Sequence, residues 1–166
     1  NAKVYANTLM SFSVVFANAM AQATQIVTGH LVGAGREDAA EKRVIKTLLT
    51  ALPVSVTIAT INCLICPLTL RIFNCDPATM VLVRQILMVG ILMEIGRTTN
   101  LVVIGSMKAS GDVLFPVFVG MAIMWGVGVT VGYSCGVLLS LGVAGVFMGT
   151  ASDECVRGII ALLRWK

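Results

Sequence analysis

Runs of apolar residues long enough to cross a bilayer dominate this chain, and they decide what it can fold into. A transmembrane helix needs about 20 such residues at about 1.5 Å of rise each. Stretches of that kind fall at about 4–32, 45–73, 78–107, 113–140 and 143–163. Composition agrees: 57% of the 166 residues are hydrophobic and 12% are charged, where a soluble domain carries about 25% charged residues. Mean hydropathy is +0.93. Too few polar side chains remain to cover a domain in water, so an ordinary soluble fold and a disordered or nucleic-acid-binding tail are excluded. No segment shows the period-two alternation of a membrane barrel. The expected class is all-α, a polytopic transmembrane helix bundle of about five spans.

The connections carry turn chemistry. Gly33-Ala34-Gly35 ends the first span as C-terminal glycines do. Asp76-Pro77, after Asn74-Cys75, supplies an N-cap and a proline at the first helical position. Ser110-Gly111-Asp112 breaks the chain before the fourth span and Leu141-Gly142 before the fifth. Between Arg36 and Arg43, mixed charges predict a short amphipathic helix lying on one membrane face. Basic residues set the orientation. Arg36, Lys42, Arg43, Lys46, Lys108, Arg164 and Lys166 fall on one side, and Lys3 and Arg71 on the other. The richer side is expected in the cytoplasm, which puts the C-terminus inside. The net charge of +4 reflects that asymmetry rather than a nucleic-acid partner. A chain opening at Asn1, almost within a span, and carrying an odd number of spans reads as part of a longer polypeptide.

Ionisable groups within spans cost about 2.5–3.5 kcal/mol each on insertion scales, so each needs a reason. Arg84, Glu94, Arg97 and Asn100 lie on the third span, with Glu94 and Arg97 spaced i,i+3 to pair and Asn100 continuing their stripe. Asp153, Glu154 and Arg157 form a second set, with Arg157 in reach of either carboxylate. Asn7, Ser11, Asn18, Gln22 and Gln25 make a polar ladder along one face of the first span, and His30 follows near its end. Two readings stand side by side. Each ion pair can simply neutralise itself and hold helices in register, and amides can be interhelical glue. Alternatively, carboxylates and amides gathered in one small bundle can accept protons or coordinate Na⁺ while contacting a ligand. Met121 and Met124 beside Trp125 fit a pliable core or a pocket wall.

Gly128, Gly132 and Gly136, like Gly145 and Gly149, recur every four residues and predict close helix packing. Cys63 and Cys66 form a CxxC inside an apolar run, with no second pair, so they read as small helix residues. With one histidine and no nucleophile elbow, metalloprotease or nucleotide-binding motif, nothing points to an enzyme, a metal or an organic cofactor.

Several stretches share a family pattern: Glu94-Ile95-Gly96-Arg97-Thr98-Thr99-Asn100, Gly105-Ser106-Met107-Lys108-Ala109-Ser110-Gly111-Asp112, and Phe115-Pro116. So do Ala21 to Arg36 (AQATQIVTGHLVGAGR), Met124-Trp125-Gly126, Gly142-Val143-Ala144-Gly145-Val146, Asp153-Glu154-Cys155-Val156-Arg157 and Arg164-Trp165. Taken in chain order, they resemble the multidrug and toxic compound extrusion (MATE) transporters. The resemblance implies twelve helices in two six-helix lobes around an outward-opening cleft. Residues 1–166 would then be a partial C-terminal lobe, helices eight to twelve, lacking the seventh helix and the N-terminal lobe. It implies a cation-coupled antiporter of a prokaryotic cytoplasmic membrane, working by alternating access and exporting small organic, often cationic, drugs and toxins. Its partners would be those substrates, the lipid bilayer and the missing N-terminal lobe, and its only cofactor the coupling H⁺ or Na⁺. Glu94 and Arg97 become the ion-coupling candidates. Asn18, Gln22, Asn100, Met121 and Trp125 become cavity candidates, and Asp112, Asp153 and Arg157 gating or structural residues. A related flippase of lipid-linked precursors and a non-transporting membrane scaffold are the alternatives.

Overall fold

The computed structural model describes residues 2–72 and 76–165. Five long helices follow one another: α1 (Ala2–Gly33), α2 (Glu37–Ile72), α3 (Pro77–Ala109), α4 (Leu114–Leu138) and α5 (Gly142–Trp165). No strand occurs among the described residues. Phe73, Asn74 and Cys75, expected to end the second span and open its turn, and Lys166 lie outside the described residues, as do the side chains of Lys3 and Arg71. Four helices, α1 to α4, are long and apolar enough to cross a membrane by length and composition. Helix α5 has 24 residues, enough for a span, but carries Asp153, Glu154 and Arg157 in its middle, which lowers its hydropathy.

The helix ends follow local chemistry. At the end of α1, Arg36 N–H donates to the Leu31 carbonyl and Gly35 N–H to that of Val32, both at 2.9 Å. Gly35 sits at φ +68°, the left-handed conformation that this closing motif needs. The same motif ends α3, where Asp112 N–H reaches the Met107 carbonyl at 3.0 Å and Gly111 takes φ +95°. Helix α3 begins as expected, with Pro77 in its first turn and the Asp76 carboxylate accepting from Ala78 N–H at 3.2 Å. One expectation fails: Arg36–Arg43 is not a separate surface helix. Residues from Glu37 onward run unbroken into α2. Ala39, Ala40, Glu41 and Lys42 are good helix formers with no breaker after them, and Ala40 and Val44 are already buried. At about 54 Å, α2 is longer than a bilayer's hydrocarbon core.

Helix α3 is the centre of the bundle and packs against α1, α2 and α5, while α4 packs along α5. Two apolar clusters hold the helices together. One joins Ala6, Met10, Cys66, Leu70, Ile86, Met93 and Phe147; the other joins Ala21, Val44, Leu48, Val103, Met107 and Ala161. Cys63 packs against the first cluster beside buried Cys66, which suits small apolar helix residues. Many large apolar side chains point outward, among them Leu49, Leu64, Leu68, Phe118 and Leu163, as helices facing lipid require.

The glycine series on α4 and α5 interlock. A Cβ on Gly149 would lie 2.6 Å from the Gly132 backbone, and one on Gly136 would lie 3.1 Å from a Val146 methyl. Here α4 contains two π-helical turns, Met124–Val129 and Ser134–Leu138. Widened turns of this kind shift the facing side chains relative to a regular helix. A second close approach lies where α3 meets α5. A Cβ on Gly96 would stand 2.6 Å from Cys155 N and 2.8 Å from the Glu154 carbonyl carbon, and one on Gly158 would stand 3.2 Å from the Gly96 carbonyl oxygen. Replacing Gly96 with Leu is therefore expected to destabilise the detergent-solubilised protein by about 3 kcal/mol or more, read as a lowered thermal midpoint. Gly33→Ala, with nothing within 4 Å, is expected to leave the midpoint unchanged or slightly raised. Equal midpoints for the Gly96 variant and wild type would refute the crossing.

Candidate functional site

Between the two apolar clusters lies a belt of buried polar groups: Ser13, Glu94, Thr98, Thr99, Asn100 and Asp153. Its core sits on the middle of α3. Glu94 is 1% exposed, and its Oε2 pairs with Arg97 at 3.4 Å, the i,i+3 contact expected from spacing. Arg97 also donates to the Met93 sulfur at 3.3 Å. The other carboxylate oxygen, Oε1, has no hydrogen-bond partner, nor has the Ser13 hydroxyl. Both residues line a small cavity of about 10 Å³ between α1, α2 and α3, together with Asn62 and Gly90. That space matches about one water molecule. Asn62 is itself held by donating from Nδ2 to the Leu9 carbonyl at 2.9 Å.

The close backbone approach at Gly96 joins this belt to α5. Asn100 Nδ2 donates to Glu154 Oε2 at 2.6 Å. Arg157 takes the other carboxylate available to it, pairing with Asp153 one turn earlier on the same helix. Spacing left Arg157 a choice of two partners, and the α3 amide decides it by claiming Glu154. At the end of the bundle holding Arg36 to Lys46, Asp112 pairs with Arg164 at 3.3 Å, and the Arg164 guanidinium lies 5.2 Å from the Phe115 ring centre. Arg84 is exposed, and so is His30, at the edge of the open side next to Gln22 and Gln25.

The amide ladder of α1 turns away from the packed core. Helix α1 buries the stripe Ala6, Met10, Ser13, Ala17, Ala21, Thr24 and Thr28, and leaves Asn7, Ser11, Gln22 and Gln25 exposed. Asn18, Gln22 and Gln25 then form one wall of a pocket of about 470 Å³. Asn100 and Lys108 of α3, Met121 and Met124 of α4, and Arg157 of α5 complete it. The structure thus gathers Asn18, Gln22, Asn100, Met121 and Arg157 around one space. Trp125 lies outside that space and is 68% exposed; one residue beyond Met124, it leaves the helix in another direction. Glu94 and Arg97 belong to the belt rather than to the pocket, and Asp112 to the end of the bundle.

Lys108, by spacing a membrane-flanking charge, and Arg157, by spacing an ion-pair residue, both line the pocket. Spacing did not reveal the bond between Asn100 and Glu154, which joins residues 54 apart. The one available signal was Gly96 and Gly158, single glycines in spans outside any four-residue series. A double-mutant cycle on Asn100→Ala and Glu154→Ala, read by thermal unfolding, is expected to give a coupling of about 1 kcal/mol. Strict additivity would show that the two helices are not joined there.

The MatE family profile matches residues 2–134. The chain is also 33% identical over 164 residues to a protein named "Uncharacterized transporter YisQ" from Bacillus subtilis (strain 168). That alignment covers 99% of this chain but 36% of the relative, so the chain spans about a third of the length of the protein it matches. No solved structure matches it. The order of motifs, the helix bundle with its buried polar belt, and these two matches agree: the chain belongs to the MatE family of transporters.

Proposed function

We propose that the protein containing this chain is a cation-coupled antiporter that exports small organic compounds, often cationic, from a prokaryotic cell by alternating access. In this reading the chain is part of the C-terminal lobe, and the end bearing Arg36 to Lys46, Lys108 and Arg164 faces the cytoplasm. The match to a Bacillus transporter supports the prokaryotic setting. The exposed amide face of α1 supports a second lobe: amides left toward lipid are costly, whereas a water-filled cleft satisfies them.

The observation that carries the coupling role is Glu94. A carboxylate buried at mid-helix, with one oxygen on Arg97 and the other bare beside Ser13, is poised to change its occupancy. Taking up H⁺ or Na⁺ there would weaken the Arg97 contact and shift the packing of α3, which touches α1, α2 and α5. Arg97 tunes the site, while Gln22 and Asn100 supply polar contacts in the pocket.

The test is efflux of a cationic dye from vesicles containing the full-length protein, under a proton gradient and then a sodium gradient. Movement under one of them establishes the antiporter and names its ion. Glu94→Gln is expected to lower gradient-driven efflux about tenfold or more while membrane insertion is unchanged. Wild-type efflux by that variant would falsify the role of Glu94. Dye movement under neither gradient overturns the antiporter reading in favour of the flippase, and a harmless Glu94→Gln/Arg97→Gln pair favours the scaffold.

A further inference from the structure

The charges in the middle of α3 and α5 do not balance. Three carboxylates, Glu94, Asp153 and Glu154, stand against two guanidiniums, Arg97 and Arg157. Both guanidiniums are taken, Arg97 by Glu94 and Arg157 by Asp153. Glu154 is left with an amide: Asn100 Nδ2 donates to its Oε2 at 2.6 Å. Among the described residues, the other basic side chains of α3 are Arg84 and Lys108, both exposed and at least two turns from Asn100. On α5, Arg164 is paired with Asp112, and Cys155 gives its thiol to the Leu92 carbonyl at 3.8 Å. Helix α4 contains no Asp, Glu, Lys, Arg or His, and its Tyr133 and Cys135 lie toward its C-terminal end. Glu154 is also the accessible acid of the three. It is half-buried, whereas Glu94 is 1% and Asp153 4% exposed.

We propose that Glu154 is a proton-binding residue of the transport cycle, one that takes up and gives back its proton without breaking an ion pair. The proposal rests on the transporter reading and adds a second carboxylate to its coupling site. A carboxylate charge that no cation balances is costly at membrane depth, and a proton removes it. Protonating Asp153 or Glu94 instead would leave a guanidinium uncompensated. The two candidate carboxylates thus differ: occupancy of Glu94 frees Arg97, and occupancy of Glu154 frees no charge. A hard metal cation such as Na⁺ needs several oxygen ligands, but the atom closest to this carboxylate is an N–H donor. The proton comes from water, forms an O–H bond on the carboxylate, and returns to water when that bond breaks. Asn100 serves both forms. As it stands, its N–H donates to the charged carboxylate; turned over, its Oδ1, which has no partner now, accepts from the O–H of the acid. The charge-assisted bond is about twice as strong as the neutral one. Proton uptake therefore loosens the tie between α3 and α5 beside the pocket that Asn100 lines.

The experiment is infrared difference spectroscopy of the full-length protein in dodecyl maltoside, between the two pH values of the gradient that drives efflux. A carboxyl group that gains a proton shows a C=O stretching band, which moves when H₂O is replaced by D₂O. The wild-type spectrum minus that of Glu154→Gln is expected to leave one such band, and Glu94→Gln is expected to keep it. Size exclusion verifies the fold of each variant. Should Glu154→Gln not fold, Glu154→Asp carries the test, because it keeps the acid and is expected to shift the band. Exchanging KCl for NaCl at equal ionic strength is expected to leave the band unchanged. Glu154→Gln is also expected to lower proton-driven ethidium efflux about tenfold, with Glu154→Asp keeping part of it. No band in the difference, a band unmoved by Glu154→Asp, or wild-type efflux by Glu154→Gln overturns the proposal. A band abolished by Na⁺ overturns it in favour of a sodium seat. The band is read without substrate and with Glu94 intact, so this proposal can fail while coupled efflux stands, and the reverse.

Discussion

Helices that bring charged side chains into the middle of a membrane survive only if those charges find partners at short range, because lipid offers none. In this bundle Glu94 and Asp153 pair along their own helices, with Arg97 and Arg157, and Glu154 is reached through the crossing of α3 and α5 at Gly96. The absent side chain lets the two backbones approach until Asn100 meets Glu154. That contact leaves Arg157 to Asp153, which in turn sets Arg157 against the pocket. A larger residue at position 96 would separate the helices and leave Glu154 without its amide donor. Buried ion pairs are weak sources of stability and strong sources of register, since breaking one leaves an uncompensated charge. The stabilising work falls to the apolar clusters on either side.

The arrangement also divides the polar residues between two environments. The belt around Glu94 is buried and has room for about one water-sized occupant. The pocket beside it is open, walled by amides and bears two cationic side chains. Asn100 is the residue common to both, buried with the belt and lining the pocket. Glu94 and Asn100 stand less than two turns apart on α3. In a transporter, such adjacency lets the occupant of one site bias the other without a long relay.

Local chemistry made much of this legible. Asp76-Pro77 announced the start of α3 and Gly35 and Gly111 the ends of α1 and α3, because caps depend on a few adjacent residues. Glu94 and Arg97 were readable as a pair because both lie on one helix at fixed spacing. The charged segment after Gly35 looks like a separate helix in sequence but is the first turns of α2, since polarity changes what surrounds a helix without ending it. Trp125 was grouped with Met121 and Met124 by closeness in sequence, but helical geometry sends it to a different face.

Sequence alone determined the class of the protein: long apolar runs with few charges admit little but a bundle of membrane helices, and the order of short motifs named the family. It also identified which side chains needed explanation, because charge inside a span is costly wherever it points. Only the tertiary structure decided whom those side chains meet. The bond from Asn100 to Glu154 and the walls of the pocket join residues far apart in the chain. Such contacts depend on how two helix axes cross, and spacing along one helix carries no information about that.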